Sequence, residues 1–265
     1  MAARTDLVTD PAVIEGLLLA RRGQAYYSRA LSRLSDADFD GPSLLAGWDR
    51  RHLIAHVGLN ARALTRLVEW AATGVETPMY ASATQRAEEI DFSATLPVQA
   101  LRNLSDHAAI HLTVEWRDLP DEAWSREVRT AQGRTVPVSE TVWMRTREVW
   151  IHAADLDAGA RFEDFPPELL DRILVDVTGS WARRREAEGL PSFVLEATDR
   201  ALHTLAGPHA AGPQAAGPHA AGMDAAGSIA VRGSSAALAR WATGRGSAGV
   251  TTADGEPAPA APRWL

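Results

Sequence analysis

The sequence predicts an α+β protein, with a four-helix bundle over residues 1–160 and a smaller α/β domain over residues 161–265. Long amphipathic periods bounded by capping residues fill the first part of the chain. After Gly159 the texture changes to shorter runs, some helical and some strand-like. At 265 residues the chain also exceeds the usual size of one domain, and a hydrophobic content of 46% supplies material for a core.

The first helix is expected to start at Asp10-Pro11, a capping residue followed by proline at the first helical position, and to run through "VIEGLLLARRGQAYYSRALSRL". The second begins at Asp49, after "SLLAGW", and continues through "RRHLIAHVGLNARALTRLVEWAAT" to Gly74, a C-terminal cap. The third covers roughly 97–118 and the fourth 139–158, closed by Gly159. Between the second and third lies a long connection, 75–96, carrying "QRAEEI"; connections of that length are often functional or flexible. Helices of this length suit a bundle, whose interior commonly houses metal sites. In the second domain a helix is expected near 166–187, a strand at 192–198, a strand at 228–233 and a helix at 234–244. A five-residue repeat rich in Ala, Gly and Pro, 206–227, reads as a disordered or loosely ordered loop inserted in that domain.

A formal net charge of −7 without a long basic run argues against a nucleic-acid binder. The start "MAARTDLVTDP" lacks a signal-peptide pattern, and "VIEGLLLA" is too short to span a bilayer, so a cytoplasmic protein without a membrane partner is expected. No obligatory protein partner is evident. Cysteine is absent. Any metal would therefore be held by His, Asp or Glu, and any sulfur chemistry would arrive on a partner molecule.

Three pairs of polar residues stand four apart, one helical turn on a shared face: His52 with His56, His107 with His111, and Glu148 with His152. Such a pair is usually a solvated stripe. The surroundings separate them, because His56 in "LIAHVGL" and His152 in "VWIHAA" have apolar neighbours and are expected to point inward. An inward Glu148 is costly as an ionised carboxylate unless paired. A divalent cation shared by Glu148, His152 and His56 resolves that cost, and so does a plain ion pair with Arg145, one turn earlier. His209 and His219, inside the repeat, are poor ligand candidates.

The blocks "LLAGWDRRHLIAHV", "EWAATGVETPMY", "TAQGRTVPVSETVWMRTREVWIHAADL" and "RWATGRGSAGV" resemble the mycothiol-dependent maleylpyruvate isomerases of actinobacteria, within the wider DinB-like superfamily of thiol-dependent metalloenzymes. The likeness covers nearly the whole chain except the repeat. It implies a DinB-like four-helix bundle joined to a smaller α/β domain, with zinc held by His56, Glu148 and His152. His52, one turn before the first ligand, is left out of the set. It also implies two arginines near the substrate: Arg86 in the long connection and Arg245 in "TGRGS", the latter also facing the mycothiol cofactor.

The implied reaction is cis–trans isomerisation of maleylpyruvate to fumarylpyruvate in gentisate-type aromatic degradation. Rotation about the alkene is blocked until a thiolate adds and makes it a single bond; elimination then restores it in trans. A cysteine-like thiol with a pKa of ~8.5 is only about 3% ionised at pH 7, so deprotonation on zinc raises the reactive fraction roughly thirtyfold. The lower nucleophilicity of the bound sulfur offsets part of this. Three protein ligands leave a fourth position open, as catalytic zinc sites do. Arg86 and Arg245 suit a dianionic substrate and the enolate that forms on addition. Two alternatives share the motifs: a mycothiol S-transferase of the same fold, which consumes thiol stoichiometrically, and a non-enzymatic metal-binding regulator.

Overall fold

The computed structural model describes residues 5–200 and 228–264. The repeat at 206–227, with His209 and His219, lies outside the described residues. The chain divides into two compact units, Met1–Ala160 and Arg161–Leu265.

The first unit is built on four long helices: α1 (Pro11–Ser32), α2 (Arg50–Thr73), α4 (Val98–Asp118) and α5 (Glu140–Asp155), with a shorter α3 (Ala83–Ala94) before α4. The expected start signals work as read. Asp10 accepts from the Ala12 backbone N–H at 2.8 Å, with Pro11 next, and Asp49 accepts from His52 N–H at 2.9 Å. Each satisfies a helix-end donor that has no intrahelical partner. Gly74 ends α2 at φ 77°, a left-handed cap that a side chain would strain. α1 packs on α5 and α2 on α4, while α2 also meets α3 and α5. The core between them includes Leu17, Leu64, Leu67, Leu112 and Trp116, and the Trp116 indole N–H is satisfied by Thr141 Oγ1 at 3.0 Å.

Three features depart from the sequence expectation. The connection 75–96 is not a bare loop, because α3 occupies half of it, capped by Ser82, which accepts from Gln85 N–H at 3.0 Å. Only Ile90, Ser93 and Ala94 of α3 are buried, so its apolar stripe is too thin to read as a period. The helix expected to reach residue 158 stops at Asp155. The chain then turns through Asp157, at φ 51°, and Gly159, at φ 85°. A small antiparallel hairpin, β1 (Glu127–Arg129) with β2 (Thr135–Pro137), precedes α5.

α1 and α5 approach closely at Gly23, where a Cβ would lie 2.4 Å from Trp150 Nε1 and 2.7 Å from Val149 Cγ2. Trp150 is itself fixed, donating to Leu19 O at 3.1 Å. Gly23→Ala is therefore expected to destabilise by about 1–3 kcal/mol through overpacking, despite alanine's better helix propensity. Thermal melting should show a fall of several degrees; an unchanged or higher midpoint would contradict this close approach.

The second unit contains α6 (Pro167–Glu188), α7 (Ser235–Ala242) and a three-stranded sheet ordered β3 (Phe193–Ala197), β4 (Ile229–Gly233), β5 (Thr251–Thr252). β3 and β4 run parallel, and β5 joins β4 antiparallel. Trp181, Phe193 and Trp241 form its aromatic centre, with ring centroids 5.3–5.7 Å apart. Both indole N–H groups donate to the C-terminal tail, Trp181 to Pro262 O and Trp241 to Pro259 O. The overall class is α+β, as the sequence predicts. Among the described residues no helix is long and apolar enough to cross a membrane.

Candidate metal centre

His56 lies on α2, and Glu148 and His152 lie one turn apart on the face of α5 that meets it. The histidine Nε2 atoms each stand 3.1 Å from the same carboxylate oxygen, Glu148 Oε2. The two imidazoles meet edge to face, centroids 5.1 Å apart, and Trp48 closes on His56 at 5.3 Å. Both histidines are buried.

The ring nitrogens that face away from Glu148 are also engaged. His152 Nδ1 lies 2.8 Å from Oδ2 of the fully buried Asp155. His56 Nδ1 lies 3.3 Å from an Arg86 guanidinium nitrogen, NH2. That guanidinium in turn sits over the Tyr80 ring, 5.7 Å from its centroid.

Burial favours the neutral form of every ionisable group here, and the hydrogen bonds decide which groups resist it. For Glu148, burial pushes the carboxyl up, yet the histidines around it outweigh this and hold it well below the usual carboxylate range. For His152, burial pushes down, but hydrogen bonds to Asp155 and Glu148 prevail and raise the ring to about 9. His56 has only one carboxylate partner and faces Arg86, so burial wins and its pKa is lowered. His152 is therefore the histidine that carries the second proton beside Glu148. Burial likewise raises the Tyr80 phenol, keeping it protonated.

These residues fit a divalent cation. One ligand atom from each of His56, Glu148 and His152 lies within 4.8 Å of the other two. Ligands 2.0–2.1 Å from a tetrahedral zinc stand about 3.3 Å apart, close to the 3.1 Å found between each Nε2 and Oε2. The donor set, two imidazoles and a carboxylate, is one that zinc accepts, and three ligands leave one position for another molecule. Asp155 supplies the outer hydrogen bond that fixes ring orientation in such sites.

The competing ion pair does not form. The Arg145 guanidinium turns to Val57 O at 2.7 Å, Asn60 Oδ1 at 3.0 Å and Gln24 Oε1 at 2.9 Å. His52 stays apart from the cluster, its Nδ1 2.7 Å from the capping Asp49. His107 is exposed; His111 lies 3.4 Å from Glu115 and 3.8 Å from Glu69, a looser and more exposed group. Arg86, on α3, belongs to the same unit as the cluster. Arg245 lies in the second unit, in a turn between Gly244 (φ 80°) and Gly246 (φ 103°), donating to Thr243 O at 2.5 Å.

Sequence reasoning missed Asp155, Tyr80 and Trp48. Asp155 had a readable signal, since "HAAD" places a carboxylate three residues after His152. Tyr80 and Trp48 reach the site from loops, where periodicity says nothing about direction.

Residues 20–157 match the family model of the mycothiol maleylpyruvate isomerase N-terminal domain, and residues 164–263 match the model of its C-terminal domain. The chain is 46% identical to a crystal structure of mycothiol-dependent maleylpyruvate isomerase and 45% identical to that of a histidine-to-alanine variant. Each match covers 95% of this chain and 97% of the other, with a TM-score of 0.83. No curated protein sequence matches. The chain belongs to the mycothiol-dependent maleylpyruvate isomerase family.

Proposed function

We propose that this protein is a zinc- and mycothiol-dependent isomerase that converts maleylpyruvate to fumarylpyruvate in gentisate-type aromatic degradation. The observation that carries the reading is the convergence of His56, Glu148 and His152 on a space the size of one cation. It occurs in a chain that has no cysteine of its own and belongs to a mycothiol-dependent family.

A bound cation would supply the means of keeping the mycothiol sulfur anionic, so that its reversible addition turns the substrate alkene into a rotatable single bond. The residues of the chain do the rest. Glu148 contributes negative charge already ionised, so no proton has to leave it. Asp155 orients His152, and the neutral Tyr80 phenol lies against the Arg86 guanidinium, which carries positive charge beside the site. Arg86 and Arg245 are assigned to the substrate carboxylates and to the enolate charge that develops on addition, and Arg245 also to mycothiol. No redox step occurs, and the thiol returns unchanged.

Purified protein with zinc and mycothiol should convert maleylpyruvate to fumarylpyruvate without net loss of thiol. Equally fast conversion in the absence of thiol would exclude the mechanism, and stoichiometric thiol loss would indicate the transferase instead. Asp155→Asn is expected to weaken zinc binding 10–100-fold, as substitution of such an outer partner does. Chelator competition measures this, and an unchanged affinity would limit Asp155 to a packing role.

A further inference from the structure

His56 offers its two ring nitrogens to opposite kinds of partner. A guanidinium has only donors, so Nδ1, 3.3 Å from Arg86 NH2, is the acceptor of that bond. A neutral imidazole carries one proton, which then resides on Nε2 and is donated to Glu148 Oε2 at 3.1 Å. Ligation reverses both roles. A cation on Nε2 needs the lone pair there, which places the ring proton on Nδ1, directly against an Arg86 N–H. Two donors then face each other, and the bond between Arg86 and His56 is lost.

We infer that Arg86 is a latch on cation uptake, its hydrogen bond to His56 Nδ1 holding the ring in the tautomer that cannot ligate, so that uptake and release of the guanidinium occur together. The inference rests on the reading of His56, Glu148 and His152 as a cation site. The exchange is balanced: one proton leaves Nε2, one arrives on Nδ1 by way of solvent, and neither His56 nor Arg86 changes charge. Arg86 is able to move because it projects from α3, a helix with few buried residues, and its guanidinium already lies over the Tyr80 ring, a contact that does not depend on the bond to His56. The coupling is reciprocal, as any linkage between two equilibria is. An anionic ligand that draws Arg86 away from His56 should tighten cation binding, and cation binding should make Arg86 available to that ligand.

Two measurements test this on the full chain. Zinc affinity is determined by competition with a chromophoric chelator for chelator-stripped wild type and Arg86→Met. In parallel, ¹⁵N NMR follows the histidine rings and arginine side chains of the wild type during zinc titration. Arg86→Met should bind zinc about tenfold tighter, the effect of removing one competing hydrogen bond. In the wild type, the His56 proton should move from Nε2 to Nδ1 and the Arg86 resonances should shift, both completing at the same zinc equivalent. Stoichiometric zinc binding with equal affinity in both proteins and unmoved Arg86 resonances would overturn the latch and leave the cation reading standing. Tighter binding by Arg86→Met with unmoved wild-type resonances would assign the effect to charge alone and would also overturn it. Absence of zinc binding in both proteins would overturn the latch together with the function proposed above.

Discussion

His152→Ala is expected to abolish tight cation binding and to lower mycothiol-dependent turnover by about 10³-fold. About thirtyfold of this follows from returning the thiol to its free ionisation at pH 7, and the remainder from losing the positioning of its sulfur. The readouts are metal content after dialysis and steady-state turnover of maleylpyruvate. Retained metal with lost turnover would show that the histidine acts on substrate rather than on a cation. The same residue sets a pH dependence. His152 is raised to about 9 by Asp155 and Glu148, so a cation has to displace its proton. Zinc affinity is therefore expected to rise about tenfold per pH unit and to level off near pH 9. The sign for stability is the opposite. A histidine with a raised folded-state pKa stabilises fully below its unfolded value of about 6.5, and that contribution disappears as the pH rises through about 9. Chelator-treated protein should thus lose stability across that window, while zinc-loaded protein, whose His152 is already deprotonated, should not.

Arg145→Met is expected to give the largest loss of stability, about 3 kcal/mol, because it strands several buried polar atoms at once. Arg145 is 2% exposed, and its guanidinium links α5 to Val57 and Asn60 on α2 and to Gln24 on α1. Burial pushes its pKa down to about 10, with the ionised Glu148 one turn away favouring the charged form, so it remains a cation at neutral pH. Methionine fills similar space but leaves Asn60 Oδ1 and Gln24 Oε1 without their donor. Chemical denaturation measures the effect. Arg145→Lys should recover only part of it, because one ammonium cannot reach three acceptors held in a planar fork. Wild-type stability in Arg145→Met would mean that the three contacts merely balance the desolvation of the charge.

The frame of the first unit was legible because its signals are local. Asp10-Pro11, Asp49 and Gly74 mark helix ends through backbone groups within a turn of themselves, and the alternation of apolar residues between them is long enough to fix a period. The Glu148–His152 pair was readable for the same reason. Its third member was not, since the 92 residues separating His56 from Glu148 give no spacing to read; the apolar setting of His56 and the family likeness supplied it. α3 escaped because only three of its twelve residues are buried, leaving a mostly polar surface in the sequence. The hairpin before α5 escaped because its two strands are three residues each and bury one side chain apiece. The direction of Arg145 was also hidden. Its place on α5 allowed a pair with Glu148, and only the packing of α1 and α2 supplies the three acceptors that claim it.

Whether His56, Glu148 and His152 hold a cation is decided by the metal content of the wild type and of Glu148→Gln, each purified, loaded with zinc and desalted. Glutamine keeps the shape of the side chain but removes the charge to which both Nε2 atoms point. About one equivalent of zinc in the wild type, and almost none in a Glu148→Gln protein with the same circular dichroism, is the expected result. Zinc retained equally by both proteins, or by neither, would contradict it.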